Sequence, residues 1–92
     1  MDLRVVHSRS LKDKRAVVRP ILDGARHRFG VSVSETSAHD LWQRAELAFA
    51  GVGSSPGVVD EVLDSVERFV WSFPEVEVVA SGRHWTDLSD WG

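Results

Sequence analysis

Four cations in the first third of the chain recur at the spacing of one helix face. Intervals of three, four and seven residues place them on a single stripe when each residue turns the helix by about 100°. The four are Lys12, Arg15, Arg19 and Arg26. Cations on a rigid helix can neutralise neighbouring phosphates of a nucleic-acid backbone and release the counterions condensed there. Arg4 and Arg9, earlier in the chain, extend this candidate nucleic-acid-binding set.

The helix that carries the stripe should begin at Ser10, and its first backbone N–H groups have no partner within the helix. Those groups lie beside Ser8 and Arg9 and suit a phosphate oxygen. A second interpretation stays open, because long cationic side chains also simply keep the solvent face of a helix in water. From the residues alone, we give phosphate binding and simple solvation about equal weight.

The other polar residues show no catalytic pattern. His39 and Asp40 stand near Glu35, Gln43 and Arg44, and a carboxylate with an imidazole could transfer protons or bind a metal ion. One histidine without a second ligand at a diagnostic spacing instead favours a hydrogen-bonded turn, with Asp40 bonding to nearby backbone. We therefore predict a protein that is not an enzyme, with no catalytic residues, no metal ion and no cofactor.

Size and composition bound the class of protein. Ninety-two residues form one domain with a single core. The absence of cysteine rules out disulfides and thiolate sites and fits a reducing compartment. No apolar run approaches the roughly 20 residues of a membrane span. We expect a cytoplasmic protein with no membrane partner.

The net charge of −3 conceals an uneven distribution along the chain. Residues 1–30 contain eight Lys or Arg and three Asp or Glu, a balance of +5. Residues 31–92 contain three and eleven, a balance of −8. A basic segment followed by an acidic one fits either a surface that binds polyanions or association between oppositely charged faces.

Periodicity and turn signals predict six elements. In chain order they are a strand over 1–6, a helix over 10–29, a strand over 31–35, a strand over 41–52, a helix that starts at Pro56 and that Pro74 ends, and a strand over 76–81. Ser10 and Ser55 should cap the two helices, with Gly30 after the first. Pro20 should fall on the solvent side of its helix.

The order βαββαβ predicts an α+β fold, the ferredoxin-like sandwich, in which two helices cover one face of a four-stranded antiparallel sheet. The first and third strands should be central. Residues expected to face the helices are Leu3, Val5, Val31, Val33, Ala45, Leu47, Phe49, Val76 and Val78. Those expected on the open face are Arg4, Val6, Ser32, Ser34, Arg44, Glu46, Ala48, Ala50 and Val79.

Three residues make a weaker set of candidates for contacts with a partner: Trp42 at the end of the open face, Arg44, and Trp71. Trp71 lies opposite the apolar stripe of the second helix, where it is either a contact site or covered by Trp85 or Trp91 of the tail. Lys14 falls within the apolar arc of the first helix, and we expect its ammonium group to reach water while its stem covers the core.

Three stretches of sequence resemble the YlxP-like family of small bacterial proteins (domain of unknown function five hundred and three). They are SLKDKR at 10–15 with Val17-Val18 after it, RFGVSVSE at 28–35, and DLWQRAEL at 40–47. The resemblance implies a ferredoxin-like fold and a frequent genomic setting beside translation-initiation and ribosome-maturation factors. It supplies no activity.

Members of that family usually begin several residues earlier, with a longer apolar first strand. The first strand here should therefore be short, and part of the third strand should lack a partner. We expect one domain over 1–83 and a tail over 84–92.

Two functions from different classes follow from these observations. The first is a non-catalytic module that binds ribosomal RNA or a ribosomal subunit through the basic first helix, in ribosome maturation or translation. The alternative is a homodimeric protein-interaction module that pairs through the open sheet face and has no role with nucleic acid.

Overall fold

A computed structural model describes residues 1–86 of the chain. Its six elements occur in the predicted order: β1 (Asp2–Val5), α1 (Leu11–Phe29), β2 (Ser32–Ser37), β3 (Arg44–Ala50), α2 (Pro56–Trp71) and β4 (Val76–Ala80). Neither helix in this part of the chain combines the length and the apolar character needed to cross a membrane.

The four strands form one antiparallel sheet in the order β2-β3-β1-β4. Leu3 on β1 faces Ala45 on one side and Val78 on the other, and Val33 on β2 faces Phe49. With both helices as crossovers, this order is the ferredoxin-like sandwich. The predicted fold class and the central position of β1 and β3 are confirmed.

The core lies between the sheet and the helices. All nine residues predicted to face the helices are buried or partly buried, with Leu3 and Ala45 fully inside. From α1 and α2, the buried apolar residues are Val18, Ile21, Ala25, Val66 and Val70. Burying each large apolar side chain contributes roughly 1.5–3 kcal/mol, so this layer is the main source of stability.

The three predicted capping residues, two at helix starts and one at a helix end, are observed. Ser10 Oγ accepts a hydrogen bond from the Asp13 N–H at 3.0 Å, and Gly30 takes a φ of 65° while its N–H bonds to the Arg26 carbonyl. Ser55 Oγ accepts from the Val58 N–H at the start of α2. Pro20 lies on the exposed side of α1, as expected.

The β2–β3 hairpin differs from the prediction in its boundaries. β2 extends to Ser37 and β3 begins only at Arg44, so residues 41–43 belong to a loop over 38–43 instead of starting the third strand, and β3 ends at Ala50 rather than at Val52. Ala38 adopts a φ of 62°, in the left-handed region, and its carbonyl accepts the Leu41 N–H at 3.0 Å. This turn takes the chain out of the extended conformation that a strand needs.

β1 covers only part of its neighbour β3. The ladder runs from Val5 opposite Gln43 to Met1 opposite Leu47, and the Leu47 N–H donates to the Met1 carbonyl at 2.8 Å. Within the described residues, Ala48–Ala50 therefore pair with β2 alone. This agrees with the expectation of a short first strand and a partly unpartnered third one.

Candidate nucleic-acid interface

Three cations of the predicted stripe lie on successive exposed turns of α1. We call Lys12, Arg15 and Arg19 the cationic row. They line a shallow depression with Ala16, Pro20 and Asp23. No carboxylate of residues 1–86 lies within 4.0 Å of any of the three cationic groups. Within the described residues, these three charges have no counter-charge in contact.

Helix stability does not explain the cationic row. Like charges three and four residues apart destabilise a helix by roughly 0.2–0.5 kcal/mol per pair, and the row contains two such pairs, Lys12–Arg15 and Arg15–Arg19. Lys12 also lies in the first turn of α1, where the helix dipole disfavours a cation. By contrast, Arg26 and Arg28 stand in the last turn, where the dipole favours them.

The remaining cations of the predicted set have different surroundings. Arg26 contacts Asp23 at 3.2 Å across one turn of α1. Arg9 is exposed just before the helix and continues the cationic row toward the N-terminal end. Arg4 alternates with the buried Leu3, so it lies on the open face of the sheet, where it pairs with Glu77 at 3.5 Å. The fold thus separates Arg4 from the helical cations.

Several polar groups around the first turn of α1 are bonded within the protein. Ser8 is 3% exposed, and its Oγ donates to the Ser10 carbonyl at 3.0 Å. The Asp13 carboxylate accepts the N–H of Arg9, which precedes the helix, at 3.0 Å, and the Asp13 N–H donates to Ser10 Oγ. That the N–H groups of Leu11 and Lys12 hold a phosphate stays a prediction.

Lys14 is the main exception to the sequence prediction. Its side chain is 2% exposed, and Nζ donates to the carbonyls of Ala38 at 2.8 Å, His39 at 3.2 Å and Arg44 at 3.2 Å. Glu35 Oε2 lies 3.0 Å from Nζ as its counter-charge. The expectation that this ammonium reaches water is wrong, since four protein oxygens replace its hydration shell.

These bonds fix the loop between β2 and β3, residues 38–43, which we call the pinned loop. Gln43 fastens it to the segment before α1, since its Nε2 donates to the Ser8 carbonyl at 3.1 Å and its carbonyl accepts the Val5 N–H at 2.9 Å. His39 Nε2 lies 3.0 Å from the Glu35 carbonyl. A non-glycine residue in the left-handed region costs about 1–3 kcal/mol, and the bonds to Ala38 offset that strain.

The predicted hydrogen-bonded turn around His39 and Asp40 is present, but Lys14 rather than Asp40 organises it. Asp40 is exposed, and the bonds of the turn come from backbone groups and from Lys14. Within residues 1–86, no three His, Asp or Glu side chains come together as a metal site. Lys14, Glu35 and His39 make contacts with one another or with backbone of this hairpin.

The tryptophans differ in what surrounds them. On the pinned loop, Trp42 is 55% exposed and its neighbour Leu41 is 53% exposed. Trp71, at the end of α2, is 64% exposed, so Trp85 does not cover it, and Trp91 lies outside the described residues. Arg44, the third member of this weaker set, lies 4.0 Å from Asp2.

Arg83 connects the segment after β4 to the acidic face of α2. Its guanidinium contacts Asp60, Asp64 at 2.7 Å and Glu67 at 3.5 Å, while Ser81 donates to Glu67. The hydrogen bond to Asp64, opposed by some desolvation, raises the pKa of Arg83 above its ordinary value. Arg83 thus lies among three carboxylates of α2, whereas no carboxylate of residues 1–86 contacts the cationic row.

Comparison with known proteins supports the assignment made from the sequence motifs. The family model described as "Protein of unknown function (DUF503)" matches residues 1–83. The protein named "Uncharacterized protein YlxP" from Bacillus subtilis (strain 168) is 41% identical over 76 residues, which cover 83% of each chain. The chain belongs to the DUF503 family.

Proposed function

We propose that this protein is a non-catalytic RNA-binding module that acts in the cytoplasm on ribosomal RNA or a ribosomal subunit, during ribosome maturation or translation. The observation that carries the proposal is the cationic row, three exposed charges on one helix with no carboxylate of residues 1–86 within 4.0 Å. Arg9 extends this surface. The genomic setting implied by the family resemblance supports RNA as the polyanion.

The net charge of −3 does not oppose this role. At physiological salt the Debye length is about 8 Å, so a bound phosphate responds mainly to nearby charges. Lys12 and Arg19 are seven residues apart, or about 10 Å along α1. A row of that length can face about two or three consecutive phosphates of one strand. The local field at the row, rather than the total charge, then decides whether RNA is attracted.

A filter-binding titration with ribosomal RNA at low salt tests the proposal. The variant Arg15→Glu/Arg19→Glu should weaken binding by at least about tenfold, because two phosphate contacts become repulsive. The matched control is Arg4→Glu/Arg68→Glu, which changes the net charge equally but lies on the sheet and on α2. The control should bind within about twofold of the parent protein. Equal losses in both variants, or no RNA binding by the parent, would reject the proposal.

A second candidate, homodimerisation through the open sheet face, is favoured by one feature of that face. Ser32, Ser34, Ala48 and Ala50 leave β2 and β3 flat and exposed, and Val79 on β4 is 50% exposed. Small residues on a flat sheet allow a second sheet to approach closely. Sedimentation velocity at tens of micromolar should then show a dimer that Ala48→Lys dissociates. A monomer at that concentration would remove this candidate.

A further inference from the structure

We infer that Trp42, presented by the pinned loop, stacks on an unpaired base of an RNA strand whose phosphates lie on the cationic row. The inference rests on the proposed function and narrows its substrate class. The ligand would be single-stranded RNA, or a structured RNA with an unpaired nucleotide, rather than an uninterrupted duplex.

The exposure of this loop is not explained by the fold. Trp42 and Leu41 are consecutive large apolar side chains, and each keeps more than half of its surface in water. Tryptophan is highly buried on average, because its ring gains more than most side chains from leaving water. Two such neighbours at the tip of a well-bonded hairpin form a surface that a ligand can cover.

The backbone beneath Trp42 is already fixed before any ligand binds. Lys14 Nζ bonds to carbonyls on both sides of this tryptophan, those of Ala38 and His39 before it and that of Arg44 after it. Gln43 adds a bond to the segment before α1. Because the loop need not be ordered on binding, more of the stacking free energy appears as affinity.

The pinned loop is bonded to the segment that leads into α1, the helix that carries the cationic row. Gln43, next to Trp42, bonds to Ser8, and Ser8 is followed by Arg9 and, one turn into α1, by Lys12. An aromatic face beside cations is how proteins hold single strands: the cations follow the backbone while the ring takes a base. A purely apolar protein partner would leave these cations without a role, so the charge pattern favours RNA.

The presence of one ring also limits what the site can do. RNA-recognition motifs stack two or three bases on aromatic residues of the middle strands, whereas β1 and β3 here carry Arg4, Arg44 and Glu46 on the open face. Stacking on a single π-face accepts any base. We therefore expect a preference for unpaired nucleotides without a strong preference for sequence.

The test measures affinity for a single strand of about ten nucleotides and for a duplex of similar length. Trp42→Ala should weaken single-strand binding by about five- to hundredfold and leave duplex binding within about twofold. Trp42→Phe should restore most of the loss, because a phenyl ring still stacks. Trp71→Ala is the matched control, an equally exposed tryptophan on α2, and should change neither affinity.

The salt dependence separates stacking from phosphate contacts. Trp42→Ala should keep the parent slope of log Kobs against log salt, since it removes no charge. If the parent binds both RNAs and Arg15→Glu/Arg19→Glu weakens them, yet Trp42→Ala changes nothing, the stacking inference fails and the proposed function stands. If the parent binds neither RNA, both fail. A Trp42→Ala protein that keeps RNA affinity but loses self-association would identify a protein contact and overturn the inference.

Discussion

At the scale of single residues, Lys14 and Glu35 are an opposite-charge pair inside the protein. Lys14 is 2% exposed and the Glu35 side chain 20% exposed, with 3.0 Å between Nζ and Oε2. A buried ion pair is a weak source of net stability, because removing both charges from water costs several kcal/mol. The pair instead fixes the conformation of the hairpin, because the same ammonium group binds three of its carbonyls.

Lys14→Met should destabilise the protein by about 3–5 kcal/mol in a urea titration, because it leaves Glu35 without its counter-charge and the hairpin carbonyls without their donor. The double variant Lys14→Met/Glu35→Gln should be more stable than the single one, since the unpaired carboxylate is gone. A loss below about 1 kcal/mol for Lys14→Met would show that water replaces the ammonium without penalty.

This pair also shows which contacts could be predicted from the sequence and which could not. The caps of both helices follow from local spacing and were correctly predicted. The structure also exposes Lys12, Arg15 and Arg19, while their role in binding stays a prediction. Lys14 lies in the apolar arc of its helix, and Glu35 shares the strand face of Val31 and Val33, so both charges occupied core-facing positions. Two opposite charges at core-facing positions could therefore have predicted that Lys14 and Glu35 pair inside the protein. The hydrogen bonds to residues 38, 39 and 44 were not predictable, because they depend on a loop conformation with a positive φ.

At the scale of elements, α1 and α2 pack through a ring of α2 that lies against a glycine of α1. A methyl group on Gly24 would stand 2.5 Å from Phe69 Cζ. Phe69 cannot move away freely, because it packs edge-to-face with Phe29 at 5.7 Å and with Phe73 at 5.1 Å, and the Arg28 guanidinium lies 5.3 Å from its centre. The close approach of the helices therefore requires glycine at this position.

Gly24→Ala should destabilise the protein by about 1 kcal/mol, since overpacking by roughly 1–3 kcal/mol exceeds the gain of about 1 kcal/mol in helix propensity. Gly57→Ala is the control, because nothing lies within 4 Å of a methyl group there. It should be neutral or stabilising by up to about 1 kcal/mol. Thermal unfolding of both variants decides the matter, and a Gly24→Ala protein as stable as Gly57→Ala would contradict the packing.

Element boundaries were less predictable than element types. Alternation of apolar and polar residues continued through 41–52, so the sequence favoured a long third strand. Residues 41–43 instead belong to the pinned loop, where Lys14 binds the carbonyls of Ala38 and His39 and Ala38 takes a positive φ. Tertiary contacts of this kind override a local pattern.

At the scale of the whole molecule, α1 has a net positive charge and α2 a net negative one. Lys12, Arg15 and Arg19 of α1 are exposed, whereas Asp60, Asp64 and Glu67 of α2 surround Arg83. The raised pKa of Arg83 means that its contribution to stability is present throughout the neutral pH range and is lost only in strongly alkaline solution. The segment after β4 is therefore held against α2 at every physiological pH.

Arg83→Gln should lower the free energy of unfolding by no more than about 1 kcal/mol, because the Arg83 side chain is 22% exposed and its three partners are more open to solvent. The difference from the parent should shrink at high salt, which screens the carboxylates that the variant leaves beside one another. Urea titrations at low and high salt measure both effects. A loss that is unchanged by salt would show that Arg83 acts through packing rather than charge.

The most direct test of the phosphate-binding role is the salt dependence of RNA affinity. If Arg9, Lys12, Arg15 and Arg19 each neutralise one phosphate, log Kobs should fall against log salt with a slope of about −3 to −4. Arg15→Gln/Arg19→Gln should reduce the magnitude of that slope by about 2, while Arg4→Gln/Arg68→Gln should leave it unchanged. A slope near zero, or one that the Arg15 and Arg19 substitutions do not alter, would contradict phosphate binding by α1.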